Sequence, residues 1–127
     1  MIKVIDREFL DFEQICSINS SIVKMTNEPS GLSNSSSLKF TLDEFISNPY
    51  SQKNMYLFAK IIIALVNDHC FIEGNKRTGS IVFLLFLDFY KSNLLIGDLE
   101  IEKMIISIAK GDYDSHSLTD YFNQIIN

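Results

Sequence analysis

Apolar residues recur at helical spacing along most of the chain, in segments that polar and turn-rich stretches separate. The first segment follows Asp6, which can cap a helix, and its apolar positions are Phe9, Phe12, Ile15, Cys16, Ile22 and Val23. Residues 26–37 are polar and rich in turn formers, so they predict a mobile loop. Leu38–Phe40 is interpreted as a strand-like edge of that loop. Thr41–Glu44 has a capping-box pattern and predicts a short helix that ends at Pro49.

The rest of the chain also predicts helices. Residues 52–68 are apolar on nearly every side, which is typical of a buried central helix. Residues 78–91 contain strand-favouring side chains, but their length and their start beside a capping amide favour a helix. Asp98 is expected to cap a helix that Lys110 and Gly111 close, and residues 117–120 open the last helix. The pattern therefore predicts one all-α helical bundle, a single domain over residues 1–127.

Composition narrows the classes of function. A chain of 127 residues with 46% hydrophobic residues suits one domain with a real core. The formal net charge of −5 argues against direct nucleic-acid binding, which favours a basic face. The longest apolar run, Ile81–Leu87, is far shorter than a membrane span, and the start of the chain lacks a signal-peptide pattern. Cys16 and Cys70 lie far apart without metal-ligand spacing, so we expect reduced thiols and a cytoplasmic protein.

The candidate chemistry lies in residues 69–79, between two strongly apolar segments. His69 follows the predicted central helix and can act as a general base, because an imidazole gains and loses a proton near neutral pH. Phe71 is expected to anchor the loop in the core. Glu73 offers a hard oxygen ligand of the kind that Mg²⁺ prefers. Gly74 permits a tight turn or a close approach to a ligand, and Asn75 is a good helix cap.

Positive charge follows at once, at the predicted start of the next helix. The free N–H groups of a helix N-terminus form an anion site, and Lys76 and Arg77 add two cations suited to phosphate. A base, a metal ligand and a phosphate site are what transfer from a nucleotide to a hydroxyl requires. Each residue alone has a simpler interpretation, since an isolated His69 is more often structural and an isolated Glu73 or Lys76 is more often a solvated charge.

The run His69-x-Phe71-x-Glu73-Gly74-Asn75-x-Arg77 resembles the signature loop of the Fic/Doc family, whose enzymes move a phosphate-containing group from a nucleotide to a protein hydroxyl. The resemblance implies an all-helical fold with a flap, here in residues 26–37, that lays the target across the active site. It also implies a role for each matching residue. These roles are general base for His69, core anchor for Phe71, Mg²⁺ ligand for Glu73, and phosphate contacts for Gly74, Asn75 and Arg77.

Two positions differ from the AMP-transferring pattern H-x-F-x-D/E-G-N-G-R-x-x-R. Lys76 replaces its second glycine and Ser80 replaces its second arginine. The run Lys76-Arg77-Thr78 is similar to the Doc (death on curing) branch, whose known chemistry is phosphorylation of elongation factor Tu. Gly74 is closer to the AMP-transferring pattern, because Doc proteins often have alanine there. The resemblance implies a Doc-like kinase that uses Mg²⁺ and ATP or another nucleoside triphosphate.

Two alternatives to the kinase stay open. One is transfer of AMP, and the other is a non-catalytic binding module of a toxin–antitoxin pair. Family members that inhibit themselves carry an S/T-x-x-x-E-G/N helix, and no stretch of this sequence fits that pattern. We therefore expect inhibition in trans by a small antitoxin-like partner. The resemblance also implies a target protein that carries a Ser, Thr or Tyr hydroxyl.

Overall fold

The computed structural model describes residues 10–47 and 54–127, and within these ranges the regular structure is entirely α-helical. Isolated antiparallel bridges join Leu32 to Phe71 and Leu94 to Ile126, and the described residues contain no extended strand. The all-α prediction is therefore confirmed. The helices are α1 Phe12–Met25, α2 Ser36–Ser47, α3 Asn54–Val66, α4 Asn75–Phe89, α5 Asp98–Ala109 and α6 Ser115–Ile125.

Helix α3 is the centre of the bundle. It contacts α2, α4, α5 and α6, and it buries side chains on almost all of its sides. This agrees with the prediction from its nearly continuous apolar sequence. The predicted start at Gln52 lies outside the described residues, and the helix ends at Val66, two residues before Asp68. The candidate loop thus begins directly at the end of the most buried helix.

Helix α4 packs very closely against α3. The Cα of Gly79 lies so near Val66 that an added Cβ would sit 2.3 Å from Val66 Cγ2. The segment is a helix and not a strand, as predicted, because Val82, Phe83 and Phe86 form a buried face at helical spacing. Phe58 of α3 stacks on Phe83 with ring centroids 5.6 Å apart. The start of α4 is therefore held at a fixed position over the end of α3.

The two helices before α3 differ from the prediction at their ends. Asp11 caps α1 through a capping box with Gln14, whereas the predicted cap Asp6 lies outside the described residues. Helix α2 already begins at Ser36, so the strand-like interpretation of Leu38–Phe40 is wrong, and so is a helix start at Thr41. The reason is tertiary: the buried side chains of α2 recur three or four residues apart, namely Leu38, Thr41, Leu42 and Phe45.

The last two helices begin close to their predicted positions. Gly97 is the N-cap of α5 and Asp98 is its first helical residue, so the cap lies one residue earlier than predicted. Gly111, with φ of +83°, follows the helix as predicted. Asp114 caps α6 through a capping box with Ser117, and the helix therefore begins two residues before the predicted start. No helix within residues 10–47 and 54–127 is long and apolar enough to cross a membrane.

The connection between α1 and α2, residues 26–35, lies directly against the candidate loop; we call it the flap segment. The backbone N–H of Ser33 donates to the carbonyl of Cys70 at 2.8 Å, and the N–H of Ile72 donates to the carbonyl of Gly31 at 3.0 Å. The Asn34 N–H also reaches the carbonyl of His69 at 3.2 Å. The flap segment is thus a second support for the loop, in addition to the helices.

Candidate active site

The loop between α3 and α4 has a buried pair of residues with exposed residues on both sides. Cys70 and Phe71 are buried, with 0% and 2% of their surface exposed, whereas His69, Ile72 and Glu73 are exposed. Phe71 lies in the core cluster, which ties the loop to the interior. Because His69 precedes this buried pair, Glu73 follows it and both are exposed, the loop presents a histidine and a carboxylate to solvent. His69 itself has a left-handed backbone, with φ of +55°, which is unusual for a residue other than glycine.

Asn75 does not cap helix α4, contrary to the prediction from sequence. Gly74 is the N-cap and Asn75 is the first helical residue. The Asn75 side chain instead holds the backbone of Phe71 at both polar groups: Oδ1 accepts from the Phe71 N–H at 2.9 Å, and Nδ2 donates to the Phe71 carbonyl at 2.8 Å. Both polar atoms of the Asn75 amide are hydrogen-bonded, and the residue is only 8% exposed. The group of Asn75 that remains to bind an anion is therefore its backbone N–H, at the start of the helix.

Gly74 is required by conformation and by space. Its φ is +79°, and an added Cβ would lie 3.1 Å from both Asn19 Nδ2 and Val23 Cγ1 of helix α1. An L-residue at this position would be strained in its backbone and crowded by α1 at the same time. Glycine here therefore keeps α1 in contact with the turn that opens α4.

Asn19 of α1 is a supporting residue that the sequence analysis did not identify. It is 2% exposed, and its Nδ2 donates to the Glu73 carbonyl at 2.8 Å and lies 3.2 Å from Thr78 Oγ1, itself fully buried. These bonds fix the backbone that carries the Glu73 carboxylate. A signal was present in the sequence: Asn19 falls four residues from both Ile15 and Val23, on the buried face of α1. A polar residue among core positions indicates a specific buried partner.

One cavity brings most of the predicted site residues together. This loop cavity has a volume of about 210 Å³ and is lined by the residues Val66, His69, Ile72, Glu73, Gly74, Asn75 and Lys76. The imidazole and the carboxylate therefore share a space with the N-terminus of α4. The first N–H groups of a helix have no intrahelical acceptor and carry the positive end of its dipole. The cavity combines a base, an oxygen ligand and an anion site.

Arg77 lies outside the loop cavity and already has an anionic partner. Its Nη2 donates to Glu28 Oε1 of the flap segment at 2.7 Å, in an ion pair whose side chains are 49% and 33% exposed. The Thr26 hydroxyl, followed by the Arg77 guanidinium, lowers the pKa of the Glu28 carboxyl below its ordinary value. Glu28 is thus a second residue that the sequence analysis missed, and nothing in the local sequence links it to a residue 49 positions away.

Cys70, beside His69, is not a candidate nucleophile. Burial raises the pKa of its thiol to about 12, so the thiol is protonated at neutral pH. His116, the second histidine of the chain, is exposed at the second position of helix α6, with its ring centroid 5.1 Å from that of Tyr56. Within the described residues no group of three or more His, Cys, Asp or Glu side chains is placed to hold a metal ion by itself.

Comparison with known proteins supports the family resemblance of the loop sequence. A search of curated proteins found no match. The model of the Fic/DOC family matches residues 9–87, which is more than half of the chain and runs from the start of the bundle through most of α4. The match spans Asn19 and Glu28 as well as the whole loop cavity. On this match, the chain belongs to the Fic/DOC family.

Proposed function

We propose that this protein transfers the γ-phosphoryl group of a nucleoside triphosphate, ATP in the first instance, to a hydroxyl of a target protein. The family generally transfers nucleotide-derived groups onto proteins. The observation that carries the proposal is the loop cavity, which His69 and Glu73 share with the N-terminus of α4. Those three features match the three needs of the reaction: a proton acceptor, a ligand for a phosphate-bound cation and a site for phosphate charge.

His69 is proposed as the general base. The target hydroxyl oxygen forms a bond to the γ-phosphorus, the bond to the β–γ bridging oxygen breaks, and the hydroxyl proton passes to the His69 imidazole. The nucleoside diphosphate is the leaving group. Hydrogen bonds from the flap segment to the carbonyls of His69 and Cys70 hold the backbone on which the imidazole is mounted. This support favours a fixed position for the base.

Glu73 is proposed as the protein ligand of Mg²⁺. Its carboxylate is exposed in the loop cavity, and its backbone is fixed through the bond from Asn19 to the Glu73 carbonyl. A single carboxylate fits the ion, because Mg²⁺ in such sites is held by one or two carboxylates, with phosphate oxygens and water as the other ligands. When bound, the ion would neutralise charge on the phosphates of the nucleotide.

Lys76 and Ser80 favour the kinase over AMP transfer. Lys76 lines the loop cavity, where it adds a point charge close to the transferred group. Ser80 has no charge, and its hydroxyl donates to the Lys76 carbonyl at 3.0 Å, so it offers no second clamp for distal phosphates. AMP transfer is the second candidate, and the observation in its favour is Gly74, because glycine at this position is part of the AMP-transferring sequence pattern and its φ is +79°, a conformation that glycine adopts readily.

Nucleotides labelled at the α or the γ position test the proposal. Each is incubated with Mg²⁺, the protein and either purified elongation factor Tu, the target that the resemblance implies, or a cell lysate. We expect label from the γ position to reach a protein. His69→Ala should lower the rate by about 10²- to 10⁴-fold. His116→Ala is the matched control, because it removes the chain's other histidine, which does not line the loop cavity, and should leave the rate unchanged.

Each other outcome has a definite meaning. Label transferred from the α position alone would replace the kinase by AMP transfer. Absence of transfer from either position, with all candidate targets, would favour the non-catalytic binding module. Equal rates for the His69→Ala variant and the wild type would refute the assignment of the base.

A cytoplasmic location and a small antitoxin-like partner acting in trans are also proposed. Support for the partner comes from the exposure of His69 and Glu73, which leaves the loop cavity accessible to a covering protein. Glu28 does not fit the self-inhibition pattern, since position 24 is lysine where serine or threonine is required. Cells that express the wild-type chain alone should grow more slowly than cells that express His69→Ala. Equal growth would refute the need for a partner.

A further inference from the structure

Helix α4 carries a stripe of exposed residues on the side that faces away from the core. The stripe consists of Arg77, Ile81, Leu84 and Asp88, and we call it the α4 stripe. Successive members are four, three and four residues apart, which places them on one face of the helix, away from the buried Phe86. The same spacing forms the contact seam when two helices pack along their length.

The centre of the α4 stripe is apolar. Ile81 is 38% exposed and Leu84 is 47% exposed, and Leu85, beside them on the helix, is 41% exposed. Ile106 of α5 is also exposed, and it lines the same surface groove as Leu84, so it extends the apolar surface. Single exposed apolar residues are ordinary on a protein surface, whereas a contiguous group marks an interaction surface. The centre of the stripe therefore favours contact with another apolar surface.

The two ends of the α4 stripe carry opposite charges, with Arg77 in the first turn of the helix and Asp88 in the last. The helix dipole disfavours a carboxylate at this end, so local helix stability does not explain Asp88. When two copies of α4 pack antiparallel, Arg77 of one copy lies opposite Asp88 of the other, and Ile81 lies opposite Leu84. A two-fold axis repeats each contact. A parallel pair would instead bring like charges together at both ends.

We infer that the α4 stripe is a docking surface for a second copy of this chain, in a two-fold symmetric dimer with antiparallel α4 helices. Arg77 donates to Glu28 through Nη2, and a guanidinium has further N–H donors for a second carboxylate. A standard interface buries about 800 Å² on each copy, which is more than four side chains expose. We therefore expect a weak dimer that dissociates on dilution. The inference does not depend on the proposed transfer reaction.

Charge reversal in two separate variants of the full chain tests the pairing. Asp88→Arg places two cations opposite each other at both ends of the dimer, and Arg77→Asp places two carboxylates there. Each variant alone should self-associate at least about 100-fold more weakly than the wild type. An equimolar mixture restores both pairs of opposite charge, so the mixture should recover the dimer. Sedimentation equilibrium measures the mass, which is 14.5 kDa for one chain.

The controls separate the α4 stripe from the rest of the surface. Asp120→Arg should self-associate like the wild type, because Asp120 is an exposed carboxylate of helix α6, outside the stripe. Circular dichroism establishes that each variant is folded. If Arg77→Asp fails to fold, Ile81→Lys decides the question, because it puts like charges at the apolar centre and should abolish the dimer. Its matched control is Leu95→Lys, since Leu95 is 61% exposed and lies outside α4.

Four results would overturn the inference. The first is a wild type that stays monomeric up to about 1 mM. The second is a dimer of Asp88→Arg or Ile81→Lys that is as stable as that of the wild type. The third is a mixture of the two folded charge variants that stays monomeric. The fourth is an equal loss of association in Leu95→Lys or Asp120→Arg, which would place the interface on another part of the surface.

Discussion

Replacing Asn75 by alanine tests whether the loop is held by the two bonds of one side chain. The substitution leaves the N–H and the carbonyl of Phe71 without their partners, at a residue that is 2% exposed. Each buried polar group left unsatisfied costs about 1–3 kcal/mol. The sum is about 2–6 kcal/mol, and we expect the lower half of that range, because Asn75 lines the loop cavity and water can enter there. A loss of that size is a large part of the free energy of unfolding of a typical protein, which is roughly 5–15 kcal/mol.

The assay is urea unfolding, with hydrogen exchange of the Phe71 amide as a local readout. The Asn75→Ala variant should unfold at lower urea, and the Phe71 amide should lose protection. Asn123→Ala is the control, because it removes an exposed amide from helix α6. Stability within about 0.5 kcal/mol of the wild type, together with a protected Phe71 amide, would refute the reasoning.

Asn75→Asp separates the two bonds by pH. The ionised carboxylate still accepts from the Phe71 N–H but places an oxygen against the Phe71 carbonyl, 2.8 Å from the present nitrogen. Its protonated form donates to that carbonyl, so the folded-state pKa of the introduced carboxyl is raised above the unfolded value of about 3.9. Stability relative to Asn75→Ala should therefore be greatest below that value and decline as pH rises through the folded-state pKa.

Three further predictions concern the surroundings of the loop. Gly79→Ala should destabilise the fold by about 1–3 kcal/mol, because the new Cβ would meet Val66 Cγ2 at 2.3 Å. The loss should be smaller in a Val66→Ala background, and additive losses in the double-mutant cycle would contradict the contact. Glu28→Gln should increase the affinity for inorganic triphosphate by less than tenfold, since it releases Arg77 from an exposed ion pair; calorimetry that finds weaker binding would show that Glu28 assists the site. Cys70 should resist alkylation at pH 8 in the native protein and react after denaturation, because its pKa is raised to about 12; rapid native labelling, read by mass spectrometry, would contradict its burial.

The sequence predicted the helices wherever apolar periodicity was strong and local. The continuous apolar sequence of α3 predicted its position. The length of the segment correctly predicted a helix for α4, although several of its residues favour a strand. The start of α2 was predicted too late, because the serines at positions 35–37 read as turn formers while the burial of Leu38 is a tertiary effect. Local sequence does not report contacts that form only when distant elements meet.

The same limit applies to the site. The types and spacing of its chemical groups were visible in residues 69–77, because all of them fall within one loop and one helix start. The exchange of roles between Gly74 and Asn75 was not visible. It depends on helix α1, because a Cβ added at Gly74 would lie 3.1 Å from atoms of that helix. Glycine therefore occupies the cap position. Asn75, well suited to capping in isolation, is then used to hold the Phe71 backbone.

The flap segment acts on the site at two separate points, and these points have different consequences for phosphate binding. Glu28 contacts Arg77 through side chains, so a phosphate that binds Arg77 must compete with the Glu28 carboxylate. Gly31 and Ser33 contact the loop through backbone hydrogen bonds, which do not involve the charge of Arg77. Exchange of the carboxylate for phosphate would therefore release one end of the flap segment and leave the other end bonded to Cys70 and Ile72. The loop would keep its geometry while Arg77 changes partner, as the proposed phosphoryl transfer requires of a preorganised site.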